Sequence, residues 1–165
     1  MPRLAALALA ALSLPTMMLA RPAAAEPERY VIDQAHLSIA WSADHVGYGP
    51  TLGLFLTGGG EFTFDEEAKT LEAATFTVDA SSVFSNHDAR DKHLRGKDFL
   101  DAEAHPEIRF VMTSAEATGE RTGVVTGDLT LRGVTKPVDV EVVWNKSGKY
   151  PFGGTYVMGV TATAV

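Results

Sequence analysis

The sequence predicts an all-β chain of short antiparallel strands that carries one helical insertion. Three observations support this prediction. Apolar and polar residues alternate through most of the chain after residue 26, glycine-containing turns separate the alternating segments, and one dense charged block lies at 86–100. A period of two is typical of half-buried strands, because successive side chains point to opposite faces. Many short strands at this spacing indicate a β-sandwich or a closed barrel, and both fit the pattern.

The first 25 residues have the pattern of a secretory signal peptide. Arg3 supplies a positive start, residues 4–20 are uncharged and rich in Ala and Leu, and 23–25 are small residues suited to cleavage. We therefore expect a leader at 1–25 and one mature domain at 26–165. The mature domain would be exported to the periplasm without stable membrane insertion.

The composition limits what the chain can bind. Its formal net charge is −7, and the predicted leader holds Arg3 and Arg21 but no acidic residue, so the mature domain is more acidic still. This charge argues against nucleic acid and anionic membrane surfaces as main partners. The chain has no cysteine, so an exported domain cannot use disulfides and must be stabilised by an apolar core.

Each predicted strand places apolar residues at alternate positions. These inward rows are Leu37, Ile39, Trp41 and Ala43; Phe62 and Phe64; Ala74, Phe76 and Val78; Ile108, Phe110 and Met112; Leu129 and Leu131; and Val138, Val140, Val142 and Trp144. Turn-forming residues separate the rows. The predicted turns lie at 58–60, 65–69, 133–135 and 145–148.

One helix is predicted, within the charged block. Ser85 is a suitable N-cap with Asp88 three residues later, and Gly96 can end the helix. Acids precede bases by four residues, which is the better orientation for surface ion pairs. The expected pairs are Asp88 with Lys92 and Asp91 with Arg95.

The charged block also holds the residue types of a metal or catalytic site. His87 and His93 are six residues apart, so on a helix they project about 120° from each other and cannot easily bind one ion. Arg90, Lys92 and Arg95 add positive charge where a cation would lie. The chain has no cysteine nucleophile and no Gly-x-Ser-x-Gly elbow, and no inward position carries an acid. We therefore predict no metal site and no enzymatic activity.

The residues alone leave two interpretations of the apolar interior open. Aromatic residues occur in nearly every segment, and a packed core and a lumen for one small ligand use the same residues. His36 and His45 flank the Trp41 strand, where histidines bonded to the backbone are the more common case. The functional alternative is a polar donor at the mouth of a cavity, holding a ligand head group.

Several strings in the chain form a recognisable set, and they lie at 30–36, 45–55, 82–100, 105–110, 127–137 and 151–154. The most specific is Asn86-His87-Asp88-Ala89-Arg90-Asp91-Lys92-His93-Leu94, followed by Asp98-Phe99-Leu100. Together these strings resemble the YceI-like family of exported lipid- and isoprenoid-binding barrels, and the resemblance spans the chain from about Tyr30 to its end.

The resemblance implies an extended antiparallel lipocalin-like β-barrel with a short helical insertion, and often a homodimer. Its long apolar tunnel would hold a polyisoprenoid, quinone-like or fatty-acyl lipid and no other cofactor. Ten buried methylenes at about 0.8 kcal/mol each would supply about 8 kcal/mol before association costs. The alternation of the strands, and not the resemblance, assigns the tunnel-lining strand residues. The expected ligand-binding residues are Ile39, Trp41, Phe55, Phe62, Phe64, Phe76, Val78, Phe99, Phe110, Met112, Leu129, Val140, Val142 and His45.

Family members continue beyond the point where this chain stops, at Val165 within an apparent strand. We therefore expect a barrel that lacks its last strand, either because that strand is absent or because the product is incomplete. An unpaired antiparallel edge invites association, so such a chain would be less stable or more dimeric than a full-length relative. A monomer that melts cooperatively, seen by ultracentrifugation and thermal unfolding, would count against this expectation.

Two functional hypotheses follow. The first is a periplasmic, non-enzymatic protein that binds a long apolar ligand in the barrel. The alternative is a solid β-barrel that acts as a stress or interaction protein and docks a partner through the helix face with Arg90, Lys92 and Arg95.

Overall fold

The computed structural model describes residues 26–165, so the predicted leader at 1–25 lies outside the described residues. The elements in chain order are β1 (Glu28–Val31), β2 (Ile39–Asp44), β3 (Pro50–Phe55), β4 (Gly58–Asp65), β5 (Thr70–Asp79), β6 (Val83–Phe84), α1 (Asp88–Arg95), β7 (Glu107–Ala117), β8 (Thr122–Leu131), β9 (Val134–Lys149) and β10 (Tyr156–Thr163).

Seven of the strands form one antiparallel sheet in the order β1-β4-β5-β7-β8-β9-β10. The other three form a smaller sheet, β2-β3-β6. Five pairs of consecutive strands form antiparallel hairpins: β2–β3, β4–β5, β7–β8, β8–β9 and β9–β10. By contrast, β3 and β4 are joined by only two residues and lie in different sheets. The predicted all-β antiparallel fold with a short helical insertion is confirmed.

The large sheet curls until its two flanks meet, which makes it a nearly closed barrel and not a sandwich. The Phe64 ring on β4 contacts the Trp144 ring on β9 edge to face, with centroids 5.6 Å apart. Three strands separate β4 from β9 in the sheet, so this contact crosses the barrel interior. Within the described residues β1 pairs only with β4 and β10 only with β9, so both are edge strands.

Register places the predicted inward residues on one continuous face. Phe76 lies opposite Phe110, and Phe110 lies opposite Leu129, which forms an apolar row across three strands. These three residues are half-buried, whereas Val111, the next residue along β7, is 36% exposed on the outer face. The alternation in the sequence therefore identifies the inner face of the barrel correctly.

Two aromatic rings occupy the space beside glycines of the neighbouring strands. The Trp41 ring covers Gly53 on the neighbouring strand, and the Phe110 ring covers Gly127. A Cβ atom at either glycine would overlap the ring. Glycine is therefore required by close packing at these positions and not by an unusual backbone conformation.

The predicted turns are partly correct. The hairpin after β8 turns at Arg132 and Gly133, whose φ angles of 51° and 71° fit a two-residue turn with positive φ at both positions. Two other predictions are wrong. Residues 58–60 begin β4, and residues 145–148 do not form a turn, because β9 continues through them to Lys149. A bulge at Asn145, opposite the step from Gly159 to Val160, accommodates the turn-forming residues within the strand.

The glycine run at the start of β4 gives a stability prediction. A Cβ atom at Gly60 would overlap the carbonyl oxygen of Thr75 on β5. We expect Gly60→Ala to lower the free energy of unfolding by about 1 to 3 kcal/mol, the usual cost of overpacking. Gly153 has no atom within 4 Å of such a Cβ, so Gly153→Ala is the control. Equal urea midpoints for the two variants would contradict the close packing of β4 on β5.

Helix α1 ends at Gly96 as predicted, but its start differs from the prediction. His87 is the N-cap, and its Nδ1 accepts a hydrogen bond from the Arg90 backbone N–H at 3.2 Å. Ser85 instead donates its backbone N–H to the carboxylate of Asp91 at 2.8 Å. No helix within residues 26–165 is long and apolar enough to cross a membrane.

The expected ion pairs along α1 are also replaced. Asp91 is only 5% exposed and accepts hydrogen bonds from both the N–H and the hydroxyl of Ser85. These bonds lower the pKa of Asp91 against the opposing effect of burial, with a smaller contribution from the charges of Arg95 and Arg90. Asp88 and Lys92 are not among the ion pairs of the described residues. Asp91 therefore fixes the helix to the strand before it.

Candidate functional site

The candidate site is the inner face of the barrel, called the lumen below. Its wall consists of apolar residues that are half-buried and not fully buried. They are Phe62, Phe64, Phe76, Phe110, Met112, Leu129, Val140, Val142 and Trp144. No large side chain of the described residues is fully buried. Protein cores normally pack to the density of organic crystals, whereas the side chains of this inner face keep part of their surface exposed.

Most of the predicted ligand-binding residues lie on this wall or beside it. Ile39 and Phe55 face each other across β2 and β3, and Ile39 reaches over Gly58 at the start of β4. Val78 is buried at the end of β5. Through Ile39 the small sheet therefore meets the large one at the start of β4.

Two predicted residues lie elsewhere. Phe99 is 46% exposed, and its ring contacts the His93 ring edge to face at 4.7 Å, next to α1. His45 lies at the tip of the β2–β3 hairpin, where it lines a cleft of about 240 Å³. The other flanking histidine, His36, pairs with Asp33 through its side chain at 2.7 Å.

A polar cluster closes the barrel between its edge strands, and we call it the Glu66 cluster. The Glu66 carboxylate accepts hydrogen bonds from the hydroxyls of Tyr30 on β1 (2.7 Å), Ser147 on β9 (2.7 Å) and Tyr156 on β10 (2.9 Å). Tyr30 also stacks on Phe62 at 5.1 Å. The cluster therefore links β1 to β10, which make no strand pairing with each other.

The environment shifts the pKa of both acidic groups in the Glu66 cluster. Burial raises the pKa of Glu66, but the three hydroxyl donors together outweigh it and hold the pKa below the usual value. Burial and the bond to Glu66 raise the pKa of Tyr30 well above that of a free phenol. Glu66 therefore stays ionised and Tyr30 stays protonated across the physiological range.

The Glu66 cluster is not among the sites that the sequence pattern predicts. The sequence places Glu66 in a hairpin turn, where a charged residue is ordinary. Its partners lie 36, 81 and 90 residues away, so no local pattern points to them. One indirect signal is the pair of tyrosines, Tyr30 and Tyr156, which lie in the first and last described strands.

A second groove, of about 700 Å³, lies where β4 begins and β5 ends. Its lining is mostly backbone and short polar side chains, with Gln34, Thr77 and Asp79 among them. Within residues 26–165 no group of three or more His, Asp or Glu side chains is placed to hold a metal ion. The lumen wall itself presents a row of apolar side chains across β5, β7 and β8.

Curated relatives resemble nearly the whole chain. A UPF0312 protein of Pseudomonas savastanoi pv. phaseolicola is 41% identical over 158 residues, covering 94% of this chain and 81% of that protein. A UPF0312 protein of Pseudomonas putida strain W619 is 42% identical over 147 residues, covering 88% of this chain and 76% of that protein.

Solved structures also resemble most of the chain. BcnA of Burkholderia cenocepacia superimposes with a TM-score of 0.66 at 26% identity, covering 72% of this chain and 74% of that one. The YceI protein of Campylobacter jejuni gives a TM-score of 0.64 at 26% identity, covering 79% and 76%. The YceI-like domain profile matches residues 30–165. The chain therefore belongs to the YceI-like family, whose barrels bind hydrophobic ligands.

Proposed function

We propose that this protein is a periplasmic, non-enzymatic carrier that holds one long apolar ligand in its lumen. The ligand class is a polyisoprenoid, a quinone-like molecule or a fatty-acyl lipid. Export is supported by the leader pattern at 1–25, which holds a positive start, an apolar run and small residues before the cleavage point. An intact mass that lacks residues 1–25 in a periplasmic extract would test the location.

The observation that carries the proposal is the incomplete burial of the lumen wall. The rings of Phe76 and Phe110 lie on the inward face of adjacent strands, yet both remain half-buried. Covering such a water-exposed surface with an apolar chain is favourable. It lowers the free energy by roughly 25 cal/mol for each Å² of apolar surface buried. A lipid tail would cover this apolar wall, and its binding requires no catalytic group.

The helix-docking alternative has weaker support. Two of its three cations are already used within the chain: Arg90 bonds to the hydroxyl and carbonyl of Ser85, and Arg95 bonds to the carbonyl of Val83. Lys92 alone would remain fully available to a partner. The helix face is therefore better explained as a structural anchor than as a docking surface.

A fluorescence titration tests the proposal. Trp41 and Trp144 are the only tryptophans of the chain. Trp144 contacts Phe64 across the barrel, and Trp41 shares a face of the small sheet with Ile39 and Phe55. We expect decylubiquinone to quench the delipidated protein saturably at one equivalent, with a Kd of about 1 µM. The matched control is the same benzoquinone without its decyl chain, which should quench without saturation. Superimposable curves for the two quinones would contradict binding through the tail.

A further inference from the structure

The cleft at the tip of the β2–β3 hairpin gathers hydrogen-bond donors from two parts of the chain. It is lined by His45, Tyr48, Gly49, Pro50, Thr51 and Arg90. The imidazole, two hydroxyls and the guanidinium of this set are the groups that recognise anionic oxygen atoms. We call it the Arg90 cleft.

Arg90 is held in a fixed orientation toward this cleft. Its Nε donates to the Ser85 hydroxyl at 2.7 Å and its Nη2 to the Ser85 carbonyl at 2.6 Å. Ser85 is itself buried and bonded to Asp91. The remaining terminal nitrogen, Nη1, makes no hydrogen bond to a described residue. A pre-oriented guanidinium loses little side-chain entropy when it binds an anion.

The Arg90 cleft lies at one end of the apolar face of the small sheet. Thr51 lies opposite Ala43, Gly53 lies opposite Trp41, and Phe55 lies opposite Ile39, so Thr51 shares the inward face with Trp41 and Phe55. Thr51 is half-buried, like the aromatic residues of that face. An amphiphile whose tail lies against this face can therefore bring its head group to the cleft.

The charges around the Arg90 cleft are few. Asp91 lies near Arg90, but its carboxylate is occupied by Ser85. Asp44, at the end of β2, accepts the backbone N–H of Gly47 at 2.8 Å. Asp88, at the start of α1, is exposed. Asp91 and Asp44 keep their negative charge, but each accepts a hydrogen bond from its own donor, and neither is hydrogen-bonded to Nη1 of Arg90.

We infer that the Arg90 cleft binds the anionic head group of the lumen ligand, a carboxylate or a phosphate monoester. This inference rests on the proposed function, because the tail supplies most of the binding free energy. It narrows the ligand class to acidic amphiphiles, since a quinone or an ester offers no charge to Arg90. His45, Tyr48 and Thr51 then act as hydrogen-bond donors to the same oxygen atoms.

A paired titration tests the inference. The probes are cis-parinaric acid and methyl cis-parinarate, which share one fluorescent tail and differ only in the charge of the head group. We expect the wild-type chain to bind the acid more tightly than the ester. Arg90→Gln should raise the Kd of the acid about tenfold, the effect of one lost charge-assisted contact, and leave the ester unchanged. Arg109→Gln removes an exposed arginine on the outer face of β7 and is the matched control.

Further variants separate a local effect from loss of structure. His45→Gln and Thr51→Val do not disturb Ser85, and each should weaken only the acid. Two results together would overturn the inference: Arg90→Gln loses binding of the ester, and His45→Gln and Thr51→Val keep the preference for the acid over the ester. Arg90 would then be a structural anchor only.

Competition experiments distinguish a lipid head group from a free small anion, and they distinguish failure of this inference from failure of the proposed function. Decyl phosphate should displace cis-parinaric acid, whereas inorganic phosphate at the same concentration should not. Equal displacement by both would overturn the lipid assignment and identify a site for small anions. If the acid and the ester bind equally well, only the head-group inference fails. If neither probe binds, the proposed function fails with it.

Discussion

Phe110→Glu is expected to abolish retention of a long apolar ligand, whereas Val111→Glu, one residue along the same strand, leaves it unchanged. Phe110 lies on the lumen wall between Phe76 and Leu129, and Val111 lies on the outer face. An unpaired carboxylate in an apolar lumen is strongly unfavourable, so it recruits water or protonates and in either case weakens the apolar wall. Organic extraction of each purified variant, followed by mass spectrometry, measures the retained lipid.

A milder substitution tests the same row with less risk of unfolding the barrel. Phe76→Ala removes one ring from the same row, and we expect it to lower the affinity for decylubiquinone about tenfold while the barrel stays folded. Circular dichroism and the urea midpoint report whether each variant is folded. A folded Phe110→Glu protein with a full complement of lipid would contradict a ligand site at this row.

Glu66→Gln is expected to cause the largest loss of stability among substitutions at polar positions, about 1 to 3 kcal/mol. The Glu66 carboxylate accepts hydrogen bonds from Tyr30, Ser147 and Tyr156, and a neutral amide accepts more weakly and must place its NH₂ group beside one of these donors. Urea unfolding at pH 7 measures the loss. Glu72→Gln, at an exposed position on β5, is the control and should be neutral.

The pH dependence of stability follows from the same cluster. The folded pKa of Glu66 is lowered, so its stabilisation is complete above the unfolded value, near 4.3, and is lost as the pH falls through the folded pKa. The folded pKa of Tyr30 is raised, so its stabilisation is complete below the unfolded value of about 10 and is lost at more alkaline pH. Glu28 and Tyr156 also act on Tyr30 and contribute to the alkaline limb.

Unfolding midpoints measured from acid to alkaline pH test this account. The wild-type protein should show a stability plateau with a fall at each side, and Glu66→Gln should reduce the acid fall. Tyr30→Phe should reduce the alkaline fall. An acid limb in Glu66→Gln as steep as in the wild-type protein would show that other carboxylates cause it.

Much of the fold is predictable because it is encoded in local patterns. The inward rows of β4, β5, β7, β8 and β9 follow from alternation, which reflects one apolar and one solvated face in each strand. Local turn propensity was less reliable. Residues 145–148 have the composition of a turn, but pairing with β10 keeps them in β9, and a bulge at Asn145 absorbs the irregularity. Tertiary pairing overrides the local preference there.

The candidate site is only partly predictable, for a physical reason. The apolar wall is a property of separate strands and is visible in each of them. Closure of the barrel depends on contacts between distant segments, such as Phe64 with Trp144 and Glu66 with Tyr156. The start of α1 was mispredicted for a related reason. Ser85 is a good N-cap by residue type, but in the structure it is hydrogen-bonded to the buried carboxylate of Asp91.

The most direct test of the central claim is to identify what the purified protein carries. The mature chain would be isolated from a periplasmic extract without detergent, extracted with organic solvent and analysed by mass spectrometry, with the Val111→Glu and Phe110→Glu proteins treated in parallel. We predict about one equivalent of a single lipid class in the wild-type and Val111→Glu proteins. A folded wild-type protein without any lipid, and without saturable binding of decylubiquinone, would contradict the claim that the barrel is a lipid carrier.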